Sequence, residues 1–358
     1  MSERALARIS DDAVERNCAH LRSLLGARTE LCAVVKADGY GHGAAECARA
    51  ALRGGATRLA VATAREAAEL RSAGIGKPIL VMGAVDDASV DADVTVWDID
   101  FLRAIAPQRP RVHVKLDTGM GRLGARDVGE AHAIVDEAAA DERVELVAVM
   151  THFATADEVG DDHFPAQLAR FTEFAAAVRE RHPEMEAHAA NSAATIRDPA
   201  AHFDMVRCGV AIYGLDPFQD DPGAHGLEPA LELSSYVARV ERFQAGESAG
   251  YGRRWRASEP RMVATLPIGY GDGWRRALTN NCDVLIGGAR HPLAGTVSMD
   301  NVTVDLGAET HVSVGDEAVL IGRQGEERIL CEEVARRLGT INYEVTCGLS
   351  ARVRREHA

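Results

Sequence analysis

Between residues 31 and 215 the chain alternates, eight times, a short apolar run with a longer stretch whose apolar residues recur at helical spacing. The runs are LCAVVKA (31–37), RLAVAT (58–63), PILVMG (78–83), DVTVWDI (93–99), RVHVKLD (111–117), VELVAVMTHF (144–153), EMEAHAAN (184–191) and DMVRCGVAIYG (204–214). Strand followed by helix, repeated, is the pattern of a parallel sheet, whose neighbouring strands are joined by long crossovers. Eight units in roughly 200 residues fit a closed (β/α)8 barrel better than an open sheet. The fourth and seventh units carry the weakest patterns. After Leu215, DPFQDDPGAHGLEP is rich in Pro, Gly and Asp, and reads as a linker. Beyond it, LELSSYVARVERF, MVATLPIG, DVLIGG, NVTVDLG and EAVLIGR are short β-type runs punctuated by glycines, with one helical pattern at CEEVARRLG. The expected fold is α/β, a TIM-like barrel at 1–229 followed by a mainly antiparallel β domain at 230–358.

Composition narrows the function. Hydrophobic residues make up 46% of the chain, ample for a core. Forty basic against fifty-four acidic residues give a formal charge of −14, a field that repels polyanions and anionic lipid, so neither nucleic acid nor membrane is an expected partner. The opening MSERALARISDD lacks the apolar run of a secretory signal, and no stretch approaches the ~20 apolar residues of a membrane span. Seven scattered cysteines form no CxxC pair, and several sit inside apolar runs where a thiol acts as a small hydrophobe. A reduced, cytoplasmic enzyme is the expectation.

In a parallel barrel the chemistry gathers at the C-terminal ends of the strands. Lys36 closes the first run, Lys115 and Asp117 the fifth, His152 the sixth, and Asn191 with Ser192 the seventh, while Arg207 sits within the eighth. Each taken singly is better explained as a solvated strand end or a paired structural ion. Several cationic and amide groups converging on one rim are harder to explain that way, because an unpaired buried charge costs several kcal/mol. Phosphate sites in such barrels often form after the seventh and eighth strands, here Asn191–Ser192 and Cys208–Gly209–Val210. A phosphate there, with Lys36 across the mouth, describes a phosphorylated aldehyde held as a Schiff base. Partial desolvation would give that lysine the neutral amine it needs.

GMGRLG (119–124) satisfies GxGxxG and has Asp141 about twenty residues on, but it lies in the fifth unit after a strand ending in charge, which argues against a dinucleotide site. The thirteen histidines include no HExxH and no close His/Cys cluster, so no metal is expected.

Assembled, these segments resemble the alanine racemases, pyridoxal-phosphate enzymes with a barrel and a β domain, nearly end to end. AVVKADGYGHG (33–43) resembles the family's cofactor-lysine motif, implying Lys36 as the Schiff-base residue and Tyr40 as a phosphate contact. KLDTGMGRLG (115–124) resembles the segment with an often carbamylated lysine, Lys115, and an arginine, Arg122, near the ring oxygen and substrate; this reassigns the GxGxxG lookalike. THFATADE (151–158) supplies His152 beside the ring, NSAAT (191–195) supplies Asn191 and Ser192, and RCGVAIYG (207–214) supplies Arg207 for the pyridine nitrogen with Gly209 and Val210 at the phosphate. GYGRRW (250–255) resembles the catalytic-tyrosine motif at Tyr251. LPIGYGDG (266–273) resembles the entrance motif with Tyr270, SMDN (298–301) the substrate-side loop with Met299 and Asp300, and INYEV (341–345) the segment with a phosphate-contacting Tyr343. Gly271, Trp274 and Cys208 stand where Ala, Tyr and Pro are usual.

The resemblance implies pyridoxal 5'-phosphate as cofactor and a small amino acid as substrate. L- and D-alanine would be interconverted by two bases, Lys36 and Tyr251, on opposite faces of the α-carbon, supplying D-alanine for peptidoglycan. It also implies a homodimer with shared active sites. The readings kept beside it are a racemase of other or broader small amino acids, a non-catalytic pyridoxal-phosphate protein, whose relatives match a barrel alone, and a decarboxylase of basic amino acids.

Overall fold

The structure, a computed structural model, describes residues 3–86 and 88–358; Met1 and Ser2, at the head of MSERALARISDD, and Asp87 lie outside the described residues. It divides into two units. One comprises the residues up to Ala13, Gln219–Ala224 and Glu228–Ala358, and the other Val14–Phe218 with His225–Leu227. The first strand, β1 (Leu6–Ile9), belongs to the β-rich unit, where it pairs with strands near residues 231 and 354. A division at 1–229 and 230–358 would put it with the barrel instead. Four residues carry no signal of their partner, and Leu6, Ala7 and Ile9 find theirs only through hydrogen bonds to distant chain.

Eight parallel strands close the barrel in sequence order: β2 (Glu30–Val34), β3 (Arg58–Val61), β4 (Ile79–Val81), β5 (Asp93–Val96), β6 (Arg111–Lys115), β7 (Glu145–Met150), β8 (Glu186–His188) and β9 (Met205–Cys208). Closure is direct: Cys32 of β2 is registered with Arg58 of β3 on one side and with Arg207 of β9 on the other. The strands read as near-continuous apolar runs because both faces are covered, one by the barrel interior and one by helices. All eight expected runs contain a strand, each ending earlier than its run, since the last residues of each run turn into the βα loops.

Helices follow most strands, among them Ala44–Arg53, Ala64–Ser72, Val128–Ala140 and His163–Arg181. Thr63 starts the second of these with a capping box, its hydroxyl accepting from the Glu66 N–H while Glu66 accepts from the Thr63 N–H. Among the described residues no helix separates β4 from β5. The sequence there, GAVDDASVDA, has three Asp and one Ser in ten residues, types that favour turns.

In the β-rich unit, β10 (Leu231–Tyr236) lies between β1 and the long strand Glu317–Gln324, antiparallel to both, and the strand Arg354–His357 runs parallel to β1 at the sheet's edge. A three-stranded antiparallel sheet joins Arg239–Phe243, Arg261–Leu266 and Val302–Gly307. The helix expected at CEEVARRLG is Cys331–Leu338, and a second short helix, Asn342–Cys347, follows. Among the described residues no helix is long and apolar enough to cross a membrane.

Candidate active site

Lys36 leaves the barrel two residues beyond the end of β2. The chain then coils left-handedly, with φ of 52°, 52°, 62° and 54° at Ala37, Asp38, Gly39 and Tyr40. For a residue with a Cβ this conformation costs roughly 1–2 kcal/mol, and three of the four have one. The surroundings hold it. Glu66 accepts from the Ala37 N–H at 2.7 Å with one oxygen and from the Ala62 N–H with the other, so a single carboxylate ties the loops after β2 and β3 together. Asp38 accepts from the Ala44 N–H. Strain concentrated beside Lys36 marks a backbone built for something other than stability.

Lys36, Lys115, Arg122, His152 and Arg207 line one pocket of about 150 Å³ at the barrel mouth, with Met82 and Met150 among its apolar walls. Lys115 ends β6 only 4% exposed. Burial first, then the Arg207 and Arg122 guanidinium groups, push its amine down to about 8. Burial also lowers Arg207, to about 10, which leaves it a cation at neutral pH. The same burial and the surrounding cations hold the His152 imidazole well below its ordinary value, hence neutral.

Arg207 is the most constrained of the group. One terminal nitrogen donates to His188 Nδ1 at 2.6 Å, and the other to the Thr151 and Ala189 carbonyls at 2.7 and 3.0 Å and to His152 Nδ1 at 3.3 Å. Its Nε is buried and has no partner among the described residues. A buried donor left unmatched costs about 1–3 kcal/mol, so an acceptor belongs in front of it.

GMGRLG holds no pyrophosphate cradle. The N–H groups of Gly119, Gly121 and Arg122 all donate to the Asp117 carboxylate. Burial would raise that carboxyl, but these donors outweigh it and hold it below the usual range. An internal anion already occupies the position a phosphate would need.

Around β8 and β9, Ser192 Oγ accepts from the N–H groups of Gly209 and Ala211 at 3.0 and 3.3 Å. Asn191 caps the short helix Ser192–Arg197 by accepting from the Ala194 N–H, so its carbonyl oxygen is committed locally. Gly209 leads into the turn Val210–Tyr213, and the Tyr40 phenol lies directly over it. A Cβ on Gly209 would collide with Tyr40 Oη and sit 2.9 Å from its Cζ. Gly209→Ala is therefore expected to displace Tyr40 and to cost about 1–3 kcal/mol, as overpacking does; a denaturant midpoint equal to the parent's would show that the ring moves freely.

The remaining expected residues lie in the β-rich unit, four of them close together. Tyr251 is 74% exposed, and its carbonyl accepts from Thr296 Oγ1 at 2.6 Å. Tyr251 and Thr296 line a second pocket, of about 380 Å³, with Ser298 and Asn301. The Tyr270 and Gly271 N–H groups donate to the Ser298 and Met299 carbonyls. Asp300 accepts from Arg352 at 2.7 Å and from Arg4 at 3.4 Å. Gly271 suits its place because a Cβ there would strike the Arg352 guanidinium. Tyr343, half-buried, is set apart on Asn342–Cys347.

Asp93, His113 and His188 are among the buried polar residues of the barrel that the sequence did not single out. The signal was present for His113, which shares the alternate-residue face of Lys115 in RVHVKLD.

A family model described as alanine racemase, N-terminal domain, matches residues 9–217, and one described as alanine racemase, C-terminal domain, matches 230–357. The chain belongs to the alanine racemase family. The alanine racemase of Geobacillus stearothermophilus is 42% identical over 365 residues, covering 98% of this chain and 92% of that protein. The crystal structure of alanine racemase from E. faecalis superposes with a TM-score of 0.94 at 38% identity, covering 99% of this chain and 98% of that one. That of the alanine racemase from Bacillus anthracis, solved with bound L-Ala-P, gives 0.91 at 36% identity over 100% and 96%. Both racemase domains are thus represented along the chain.

Proposed function

We propose that this chain interconverts L- and D-alanine, with pyridoxal 5'-phosphate held on Lys36 and with Lys36 and Tyr251 as bases on opposite faces of the α-carbon. The observation that carries the reading is Arg207 Nε, a buried donor with no partner among the described residues, in a pocket that Lys36 also lines. A pyridine nitrogen is an acceptor of the kind that donor lacks.

The residues fit the cofactor. Lys36 would hold its aldehyde carbon, Arg207 its ring nitrogen, and Arg122 and His152 would flank the ring. Tyr40, Asn191, Ser192, Gly209, Val210 and Tyr343 would take the phosphate. When bound, pyridoxal phosphate supplies a conjugated ring that spreads the electron pair left on the α-carbon as its proton leaves. Arg207 can only donate, so it keeps the ring nitrogen unprotonated and the ring a modest electron sink, which favours return of the proton to the α-carbon over transamination. Two bases on opposite faces let one accept the proton that leaves while the other delivers a different proton to the far side, without either group travelling. Tyr270, Met299 and Asp300 would sort and orient a small amino acid.

We also read the protein as a cytoplasmic homodimer, one protomer lending Tyr251 to its partner's barrel, that supplies D-alanine for peptidoglycan. The deciding experiment is borohydride reduction of the purified protein followed by peptide mass spectrometry, with loss of optical rotation from L-alanine measured in parallel. A reduced pyridoxal adduct at residue 36 and racemisation are expected; an adduct elsewhere, or none, defeats the reading.

Lys115 has its own expectation. With an amine near 8 among three other cations, the ammonium gives one proton to solvent and the neutral amine adds to CO2; an N–C bond forms as one C=O π bond opens, a second proton goes to solvent, and the +1 group becomes −1. A carbamate carbon resonance under labelled CO2, absent in Lys115→Met, is the expected result. Without CO2, the unfolded chain (lysine near 10.4) binds more protons than the folded one between about pH 8 and 10, so stability should rise with pH across that window. Denaturant midpoints at the two ends check the sign.

A further inference from the structure

A chain of buried side chains runs through the barrel from floor to mouth. Asp93 is the first residue of β5, His113 the third of β6, His188 the last of β8, and Arg207 the third of β9. All four are buried, both histidines completely. Asp93 Oδ2 lies 3.1 Å from His113 Nε2, and His113 Nδ1 lies 2.7 Å from His188 Nε2. His188 Nδ1 lies 2.6 Å from Arg207. At the floor, Arg111 donates to the other Asp93 oxygen at 2.7 Å.

The geometry dictates where the protons sit. A guanidinium only donates, so His188 Nδ1 must be bare. Burial and the charge of Arg207 keep that ring neutral, which puts its one proton on Nε2, aimed at His113. His113 Nδ1 must then be bare, its proton sits on Nε2, and that proton needs an acceptor, which the Asp93 carboxylate supplies. With both rings neutral, this assignment alone gives both ring N–H groups an acceptor and sets neither against another donor. Reversing either ring would set Nδ1–H of His188 against an Arg207 N–H, or leave two lone pairs facing each other.

We propose that Asp93 is a positioning residue for the racemisation, acting through His113 and His188 to fix the tautomer that holds Arg207 in the pocket. The carboxylate at the floor of the barrel thereby sets the plane of a guanidinium at its mouth. The proposal rests on the role of Arg207 given above, but its first test does not.

That test is nitrogen NMR of the purified protein labelled at histidine, with and without added pyridoxal 5'-phosphate. His113 and His188 are both expected as neutral rings with protonated Nε2 and bare Nδ1; a proton on Nδ1 of either ring overturns the proposal whatever the cofactor does. The second test uses two replacements at one position. His113→Gln can still accept from His188 and donate to Asp93, whereas His113→Leu fills similar space and does neither. The leucine variant should lose about tenfold in kcat with KM nearly unchanged, well short of the ~10⁴ lost when a wrong tautomer disables the histidine that itself moves the proton. The glutamine variant should keep at least half of the parent's turnover. Equal turnover in the two folded variants would overturn the proposal, and if His113→Leu does not fold, the tautomers of the unmodified protein still decide it. A missing adduct at residue 36 would instead remove the cofactor reading, a result read in a separate experiment.

Discussion

Lys36→Ala is expected to lose at least about 10⁴-fold in racemisation of L-alanine, the upper range for one acid–base group, because the same change also removes the covalent anchor. The loss should be chemical and not structural. Lys36 is only half-buried, and its charge helps to lower Lys115, so its removal relieves repulsion in the pocket. With cofactor removed from both proteins, the variant should unfold at the parent's denaturant concentration or slightly above, and after pyridoxal 5'-phosphate is added borohydride should leave no adduct at residue 36. Residual activity within tenfold of the parent would show that another group is the base.

Tyr251→Phe is expected to lose about 10²–10⁴-fold, the contribution of one positioned acid–base group, and to lose it unevenly. Lys36 would still remove the proton on its own face. In deuterated solvent, one enantiomer of alanine should therefore exchange its α-proton while the other hardly does; equal exchange from both would argue against tyrosine as the second base. Stability should barely change, because the phenol is largely exposed and Thr296 holds the residue by its carbonyl, which phenylalanine keeps. Mixing this variant with Lys36→Ala tests the shared-site dimer. A heterodimer with shared sites has one wholly intact site, so random exchange should restore about a quarter of parental activity. Proven exchange with no recovery would show that each chain uses its own tyrosine.

The barrel was legible because its strands are buried on both faces. Each therefore reads as an apolar run that stands out against the Ala-rich helices, and all eight appear where the pattern places them. Lys36, Lys115, His152 and Arg207 were legible because a basic side chain inside or just beyond such a run is conspicuous. β1 was not legible: LARI is four residues long and carries nothing to say that its partners lie more than two hundred residues away. The left-handed turn at Ala37–Tyr40 was hidden for a different reason, since only one of its four residues is a glycine and the conformation is imposed by Glu66 and Asp38.

Local pattern thus determined the fold class, the succession of a barrel and a β domain, and most of the charged residues at the barrel mouth, because periodicity and isolated charges are properties of neighbours in the chain. What each charge touches was decided only in three dimensions. Asp93 and Arg207 are 114 positions apart in sequence, and barrel closure threads His113 and His188 between them. The unmatched Nε of Arg207 and the Asp117 carboxylate that fills the GMGRLG loop are likewise facts of distance. Hydrogen bonds are short-ranged and directional, so they exist only once the barrel has closed.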